Sequence, residues 1–206
     1  MIKKILVSQP APTTDKSPYH DIAQNFGVEF TFQPFVKVEG LEAREFRSQK
    51  VNILDHTAIV FNSRNAIEHF FHLCKELRVT LPEDMKYFGI SEKVILYIQK
   101  FVQYRKRKVF FGTSGHWPEL LTVMAKHKTE KYLFPLSEGT SLEIAGQLDQ
   151  KKIKHTECTM FRTVQANLDE DTFKNYDMIL IFTPVGVQSL LSNFPNFNQG
   201  DIRLGC

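Results

Sequence analysis

Ala58-Ile-Val-Phe-Asn-Ser-Arg-Asn-Ala-Ile-Glu-His-Phe-Phe71 and Met178-Ile-Leu-Ile-Phe-Thr-Pro-Val-Gly-Val-Gln-Ser-Leu-Leu191 share one pattern. Each opens with a short run of apolar and aromatic residues, the signature of a strand buried on both faces. Each then places a hydroxyl residue, Ser63 or Thr183, directly before helical spacing. Ser and Thr favour that position because the side-chain oxygen accepts from an amide of the first helical turn. The two hydroxyls lie 120 residues apart. One domain does not need this unit twice, so the repeat predicts two similar α/β domains.

Reading outward from the repeat, strands and amphipathic helices alternate almost throughout. Strands are expected at 2–7, 57–61, 85–90, 108–111, 132–136, 178–182 and 202–204. Helices are expected from Pro18 to Gly27 and at 42–50, 63–78, 91–102, 117–126, 141–150 and 185–194. Pro18 suits a first helical position and Gly27 a left-handed C-terminal cap. Such alternation means parallel sheets with helices on both faces. Two longer extended runs, 28–38 and 153–164, flank the middle block. The simplest topology inserts one domain into the other. Domain 1 is then 1–36 plus 164–206, domain 2 is 40–158, and linker strands at 35–39 and 159–165 join them. The expected fold class is therefore α/β: two similar parallel-sheet, three-layer domains, one inserted in the other, joined by a two-stranded linker. Domain 1 would end on a strand with one sheet face uncovered, so the chain reads as incomplete at its C-terminus.

Composition narrows the function. The 206 residues are 42% apolar and 24% charged, which excludes disordered, collagenous and coiled-coil classes. No apolar run reaches the roughly 18 residues of a membrane helix. Lys and Arg number 26 against 23 Asp and Glu, too mild an excess to demand nucleic acid but suited to an acidic small ligand. Cys74, Cys158 and Cys206 are odd in number and widely spaced, consistent with reduced thiols in a cytoplasm and with no structural zinc.

Ligands of parallel sheets bind at the carboxyl ends of strands, where helix N-termini gather amide donors and favour anions. The strand-end loops are Ser8-Gln9-Pro10, Asn62-Ser63-Arg64, Gly89-Ile90-Ser91, Gly112-Thr113-Ser114-Gly115, Leu136-Ser137-Glu138 and Thr183-Pro184-Val185-Gly186. A single such hydroxyl is ordinary helix capping; six on two domains suit a polar cleft. Gly112-Thr-Ser-Gly115 lacks the Lys-Ser/Thr of a P-loop and the GxGxxG of a dinucleotide site. Tyr104-Arg-Lys-Arg-Lys108 reads as a solvated basic loop. His69 and His72 share a helix without a third ligand, and His116 is the histidine best placed at a strand end. No nucleophile–base set or carboxylate pair is legible.

The segments Ile59-Val-Phe-Asn-Ser-Arg-Asn-Ala-Ile, Met160-Phe-Arg-Thr163, Ile181-Phe-Thr-Pro-Val-Gly-Val and Lys4-Ile-Leu-Val-Ser-Gln-Pro, in that joint order and spacing, resemble the uroporphyrinogen-III synthase family. Glu45-Phe-Arg-Ser-Gln-Lys-Val-Asn-Ile-Leu-Asp-His-Thr-Ala resembles its Bacteroidetes-like branch. The resemblance implies a cytoplasmic, monomeric lyase of heme biosynthesis that closes the linear tetrapyrrole hydroxymethylbilane into uroporphyrinogen III, with loss of water and inversion of ring D. It implies no metal or organic cofactor, no nucleic acid and no membrane; the partner is the polycarboxylate substrate. Carried over by position, Thr183 and Phe161 fall at catalytic positions. Gln9, Ser63, Arg64, Ser91, Thr113, Ser114, Gly115, Ser137, Pro184 and Gly186 fall at substrate-binding ones. Three departures stand out: Phe161 replaces the family's Tyr, Gln9 replaces its Arg, and its final Gly-Pro-Thr segment would lie beyond Cys206. The competing readings are a non-catalytic two-domain binder of small anions and, behind it, a nucleic-acid partner using 104–108.

Overall fold

The computed structural model describes residues 2–14, 16–169 and 175–206. The five residues 170–174, which fall inside the expected domain 1, lie outside that description, as do residues 1 and 15. The chain divides into two compact units, Met1–Lys37 with Thr163–Cys206, and Val38–Arg162.

The smaller unit holds a four-stranded parallel sheet. Its strands are β1 (Lys4–Val7), β2 (Glu29–Phe32), β9 (Met178–Leu180) and β10 (Arg203–Gly205), in the order β10-β9-β1-β2. Helix α1 (Pro18–Phe26) starts where Ser17 Oγ accepts from the Tyr19 amide and stops at Gly27, whose φ of 62° returns its amide to the Ala23 carbonyl. Helix α7 (Pro184–Asn193) follows β9. The core gathers Leu6, Phe35, Leu168, Ile179, Ile181 and Leu190.

The larger unit is built on a six-stranded sheet, β3-β8-β7-β4-β5-β6. Its members are β3 (Val36–Gly40), β4 (Ala58–Phe61), β5 (Lys86–Gly89), β6 (Val109–Phe111), β7 (Tyr132–Ser137) and β8 (His155–Gln165). The pairs β4–β5, β4–β7, β5–β6 and β7–β8 are parallel. Helices α2 (Ala43–Ser48), α3 (Arg64–Glu76), α4 (Glu92–Ile95), α5 (Trp117–Met124) and α6 (Ala145–Gln150) complete the unit. Strand β4 is buried along its whole length. Ile59 and Phe61 enter one apolar cluster, with Ile67 and Phe70 of α3, while Ala58 and Val60 enter a second, with Leu120 and Met124 of α5. Alternate residues of a strand face opposite sides, so this split is the two-sided burial that the apolar run predicts.

Three expectations shift. The extended run 28–38 is two strands, broken after Phe32 where Pro34 removes a ladder donor. The helix expected at 91–102 is one α-turn followed by a 3₁₀ segment, Leu96–Lys100. The helix expected at 141–150 begins only at Ala145. Before it, Gly139 at φ +72° and a Thr140 amide bonded to the Ser137 carbonyl make a turn, and the Leu142 amide donates to Glu157 Oε2. Local bonds to the backbone compete with helix in such Gly-Thr-Ser stretches.

Candidate functional site

Because β7, β4, β5 and β6 are parallel neighbours, their carboxyl ends share one edge of the larger sheet. Asn62-Ser63-Arg64, Ile90-Ser91, the loop 112–116 and Ser137 all leave from that edge. Adjacent strand ends are tied directly: the Ile90 amide donates to the Phe61 carbonyl at 2.9 Å, and the Gly112 amide to the Gly89 carbonyl at 3.2 Å. Gly112 eases this approach, since a Cβ there would crowd the Ile90 carbonyl oxygen at 3.0 Å. Gly115, at φ +81°, passes close to Ser91, 3.8 Å from its Cβ if a methyl were added.

Ser63 Oγ accepts from the Ala66 amide at 3.1 Å and Ser91 Oγ from Val94 at 3.4 Å. A capping hydroxyl spends a lone pair in this role, and its own proton remains available to donate. The Arg64 and Asn65 amides lie in the first turn of α3, outside the helical ladder. Arg64 itself is exposed, its guanidinium 5.5 Å above the Tyr97 ring.

The smaller unit repeats the arrangement. Thr183 Oγ1 accepts from the Gly186 amide at 3.1 Å, and Pro184 occupies the first turn of α7. Gly186 admits this close cap: a Cβ would meet Ile181 Cγ2 at 3.0 Å and Thr183 Oγ1 at 3.2 Å. Gln9 follows β1, the parallel neighbour of β9, so it shares an edge with Thr183 and is exposed. No helix starts at Gln9; α1 begins nine residues further on, at Pro18. Ser137, likewise, ends β7 ahead of a turn rather than a helix.

The glycine loop differs from expectation in one respect. Its donors already hold an anion, and that anion is internal. Glu119 Oε2 accepts from the Thr113 hydroxyl at 2.6 Å, the Ser114 amide at 2.7 Å and the Thr113 amide at 2.9 Å. These bonds, the Thr113 side chain's first and then Ser114's, pull the carboxyl down to about 2. Thr113 and Ser114 therefore form a carboxylate-shaped cradle that α5 itself fills. Glu119 lies five and six residues past Ser114 and Thr113, beyond the three-residue spacing of a capping box, so no standard motif marks the contact.

Phe161 is 7% exposed. It pairs with Ser137 across β8 and β7, and its carbonyl accepts from the Glu138 amide at 2.7 Å. Its ring stacks on His69 at 5.3 Å and 20°. Burial, the leading cause, lowers the His69 pKa. Gly40 leaves room for this imidazole, because a Cβ there would come within 2.9 Å of His69 Nδ1. Nothing in the local sequence singles out His69, whose partners lie 29 and 92 positions away. His116 is exposed at the start of α5 and makes no side-chain cap. Among the described residues no group of three His, Cys, Asp or Glu side chains could hold a metal, and no helix is long and apolar enough to cross a membrane.

Parallel sheets flanked by helices that start at their carboxyl edges define a parallel-sheet α/β protein. A family model described as uroporphyrinogen-III synthase HemD matches residues 17–206. The chain belongs to the uroporphyrinogen-III synthase family, a family of lyases of porphyrin and heme biosynthesis. Solved structures agree at the level of fold. The uroporphyrinogen-III synthetase of Helicobacter pylori superposes with a TM-score of 0.55 at 10% identity, over 98% of this chain and 83% of that one. A mutant uroporphyrinogen III synthase of Thermus thermophilus gives 0.54 at 12% identity, over 93% and 77%. No curated protein sequence matches the chain.

Proposed function

We propose that this chain carries out the reaction of its family, closing hydroxymethylbilane into uroporphyrinogen III with loss of water and inversion of ring D. The observation that carries the reading is the hydroxyl-capped helix start at a parallel-strand end in both units, at Ser63 and at Thr183. The substrate bears many carboxylates. A Ser or Thr proton and the first-turn amides are suited to hold them.

The rest of the chemistry asks for placement more than for reactive side chains. The pyrrole electrons expel the hydroxyl, which leaves as water once a proton reaches it. Ring D then attacks through its substituted carbon, giving a spiro intermediate that reopens and recloses inverted. A ring proton released at the end restores the balance, so the net change is one water lost. Holding the chain folded for that attack is orientation catalysis. Thr183 is assigned to help the hydroxyl leave, as a positioned donor. Gln9, Ser63, Arg64, Ser91, Ser137, Pro184 and Gly186 are assigned to substrate binding, with Thr113, Ser114 and Gly115 shaping the edge through Glu119. The enzyme acts in this reading as a cytoplasmic monomer without metal or organic cofactor.

A binding-only role is the competing reading, favoured by the buried Phe161 ring, which has no proton to give. The isomer ratio separates the two. Given hydroxymethylbilane, the chain is expected to yield uroporphyrinogen III; isomer I alone, as in the spontaneous closure, would reject the proposal.

A further inference from the structure

The opposite edge of the larger sheet, where β4, β7 and β8 begin, holds a cavity of about 350 Å3. Its charged lining is Lys50, Lys131 and Lys154, with His56, His155 and a single carboxylate, Asp55. The three lysines come from distant segments: Lys50 follows α2, Lys131 precedes β7 and Lys154 precedes β8. Among the described residues none of the three ammoniums has a carboxylate within 4.0 Å. Asp55 is engaged by Asn52, whose Nδ2 donates to Asp55 Oδ1 at 2.9 Å. The Asn52 carbonyl faces His56 Nδ1 at 2.9 Å, and the Ile153 carbonyl faces His155 Nδ1 at 3.2 Å, so both imidazoles are anchored by one nitrogen. Asp149 stands 3.9 Å from His155 Nδ1, in an adjoining hollow that also takes in Lys152 and Lys154.

Lys50 occupies the left-handed region at φ 56°, a conformation that a helix end usually gives to glycine. Arg78 and Lys152 take the same conformation at the ends of α3 and α6, so it reflects how these helices stop rather than the cavity. All three lysines are exposed, and Asp55 is the one carboxylate among them in the lining, so the hollow gathers more positive than negative charge at a rim that water still reaches.

We propose that this cavity is a binding site for a small multivalent anion of the phosphate or carboxylate type, distinct from the carboxyl-edge loops. The volume lies at the low end of small-molecule sites, enough for a compact di- or trianion but not for a tetrapyrrole. The inference does not depend on the reaction proposed above, since its residues lie at the other end of the same strands.

The test titrates the protein with pyrophosphate and, separately, with citrate, by calorimetry at ionic strength fixed with sodium chloride. Saturable one-site binding of either probe is expected, weakened at least about tenfold in the double variant Lys131→Gln, Lys154→Gln. Tighter pyrophosphate assigns the site to phosphates, and tighter citrate to polycarboxylates. No saturable binding of either, or equal affinity in the variant, would overturn the proposal. Amide shifts of the unmodified protein supply a second readout that needs no variant. Shifts clustered at 50–56, 131–132 and 154–156 support the site, whereas shifts confined to 62–64 and 112–116 contradict it.

Discussion

The two strand–hydroxyl–helix units, β4–α3 and β9–α7, agree at their start and part company within one turn. Ser63 and Thr183 cap their helices at the same 3.1 Å, on the amide three residues on. Four residues past the cap, Ile67 is fully buried whereas Val187 is 44% exposed. Phe71 packs flat on Phe101 at 4.7 Å, while its counterpart Leu191 is 52% exposed. The helix start is therefore a local property, written in a hydroxyl and the residues that follow it. Burial is set by what surrounds the helix. Strand β4 lies inside a six-stranded sheet, and β9 is a three-residue strand in a four-stranded one.

The sharpest way to test that contrast is to truncate the matched pair. Ile67→Ala should cost about 2–5 kcal/mol, since it empties a filled core position. Val187→Ala should change stability by less than about 0.5 kcal/mol, as exposed sites do. Denaturant unfolding of both variants measures the difference, and equal losses would break the comparison. The caps should behave alike instead: Ser63→Ala and Thr183→Ala each cost about 1 kcal/mol by thermal melting.

Much of this was legible in the sequence, and the reasons are physical. The buried run of β4, the Ser63 and Thr183 caps, and the Pro18–Gly27 limits of α1 rest on bonds between near neighbours. The sequence pattern missed the late start of α6, because Leu142, Ile144 and Leu148 keep an apolar spacing that a helix and a buried turn both satisfy. It offered the Thr113–Ser114 donors to a ligand, but the side chain that takes them is Glu119. It could not show His69 against Phe161, a contact made only when α3 packs on the folded sheet. The cationic cavity escaped for the same reason, since its lysines meet only in the folded sheet.

The Glu119 cradle separates the two units in another way, because among the described residues no carboxylate is bonded to the start of α7. The folded protein keeps Glu119 ionised down to about pH 2, whereas in an unfolded chain it titrates in the usual carboxylate range. Its contribution is thus complete above that range and is lost as pH falls toward about 2. Glu119→Gln should be less stable than the parent at neutral pH, and the gap should close with acidification. A gap independent of pH would deny the carboxylate its role.

A smaller effect is expected at Phe161. Phe161→Tyr adds a phenol beside Ser137 and His69, and it should raise the rate of isomer III formation with little change in melting temperature. An unchanged rate would show that the hydroxyl has no part in this chain's chemistry.

In the proposed reaction the Thr183 helix start, like that of Ser63, acts on the tetrapyrrole and is not merely a cap. The most direct measurement is kcat/KM for uroporphyrinogen III formation by the parent, Thr183→Ala and Thr183→Ser, at a temperature where all three remain folded. A loss of at least about tenfold is expected in Thr183→Ala, in the range of a removed general acid or charged-group hydrogen bond, with recovery in Thr183→Ser. Equal kcat/KM in all three would contradict it.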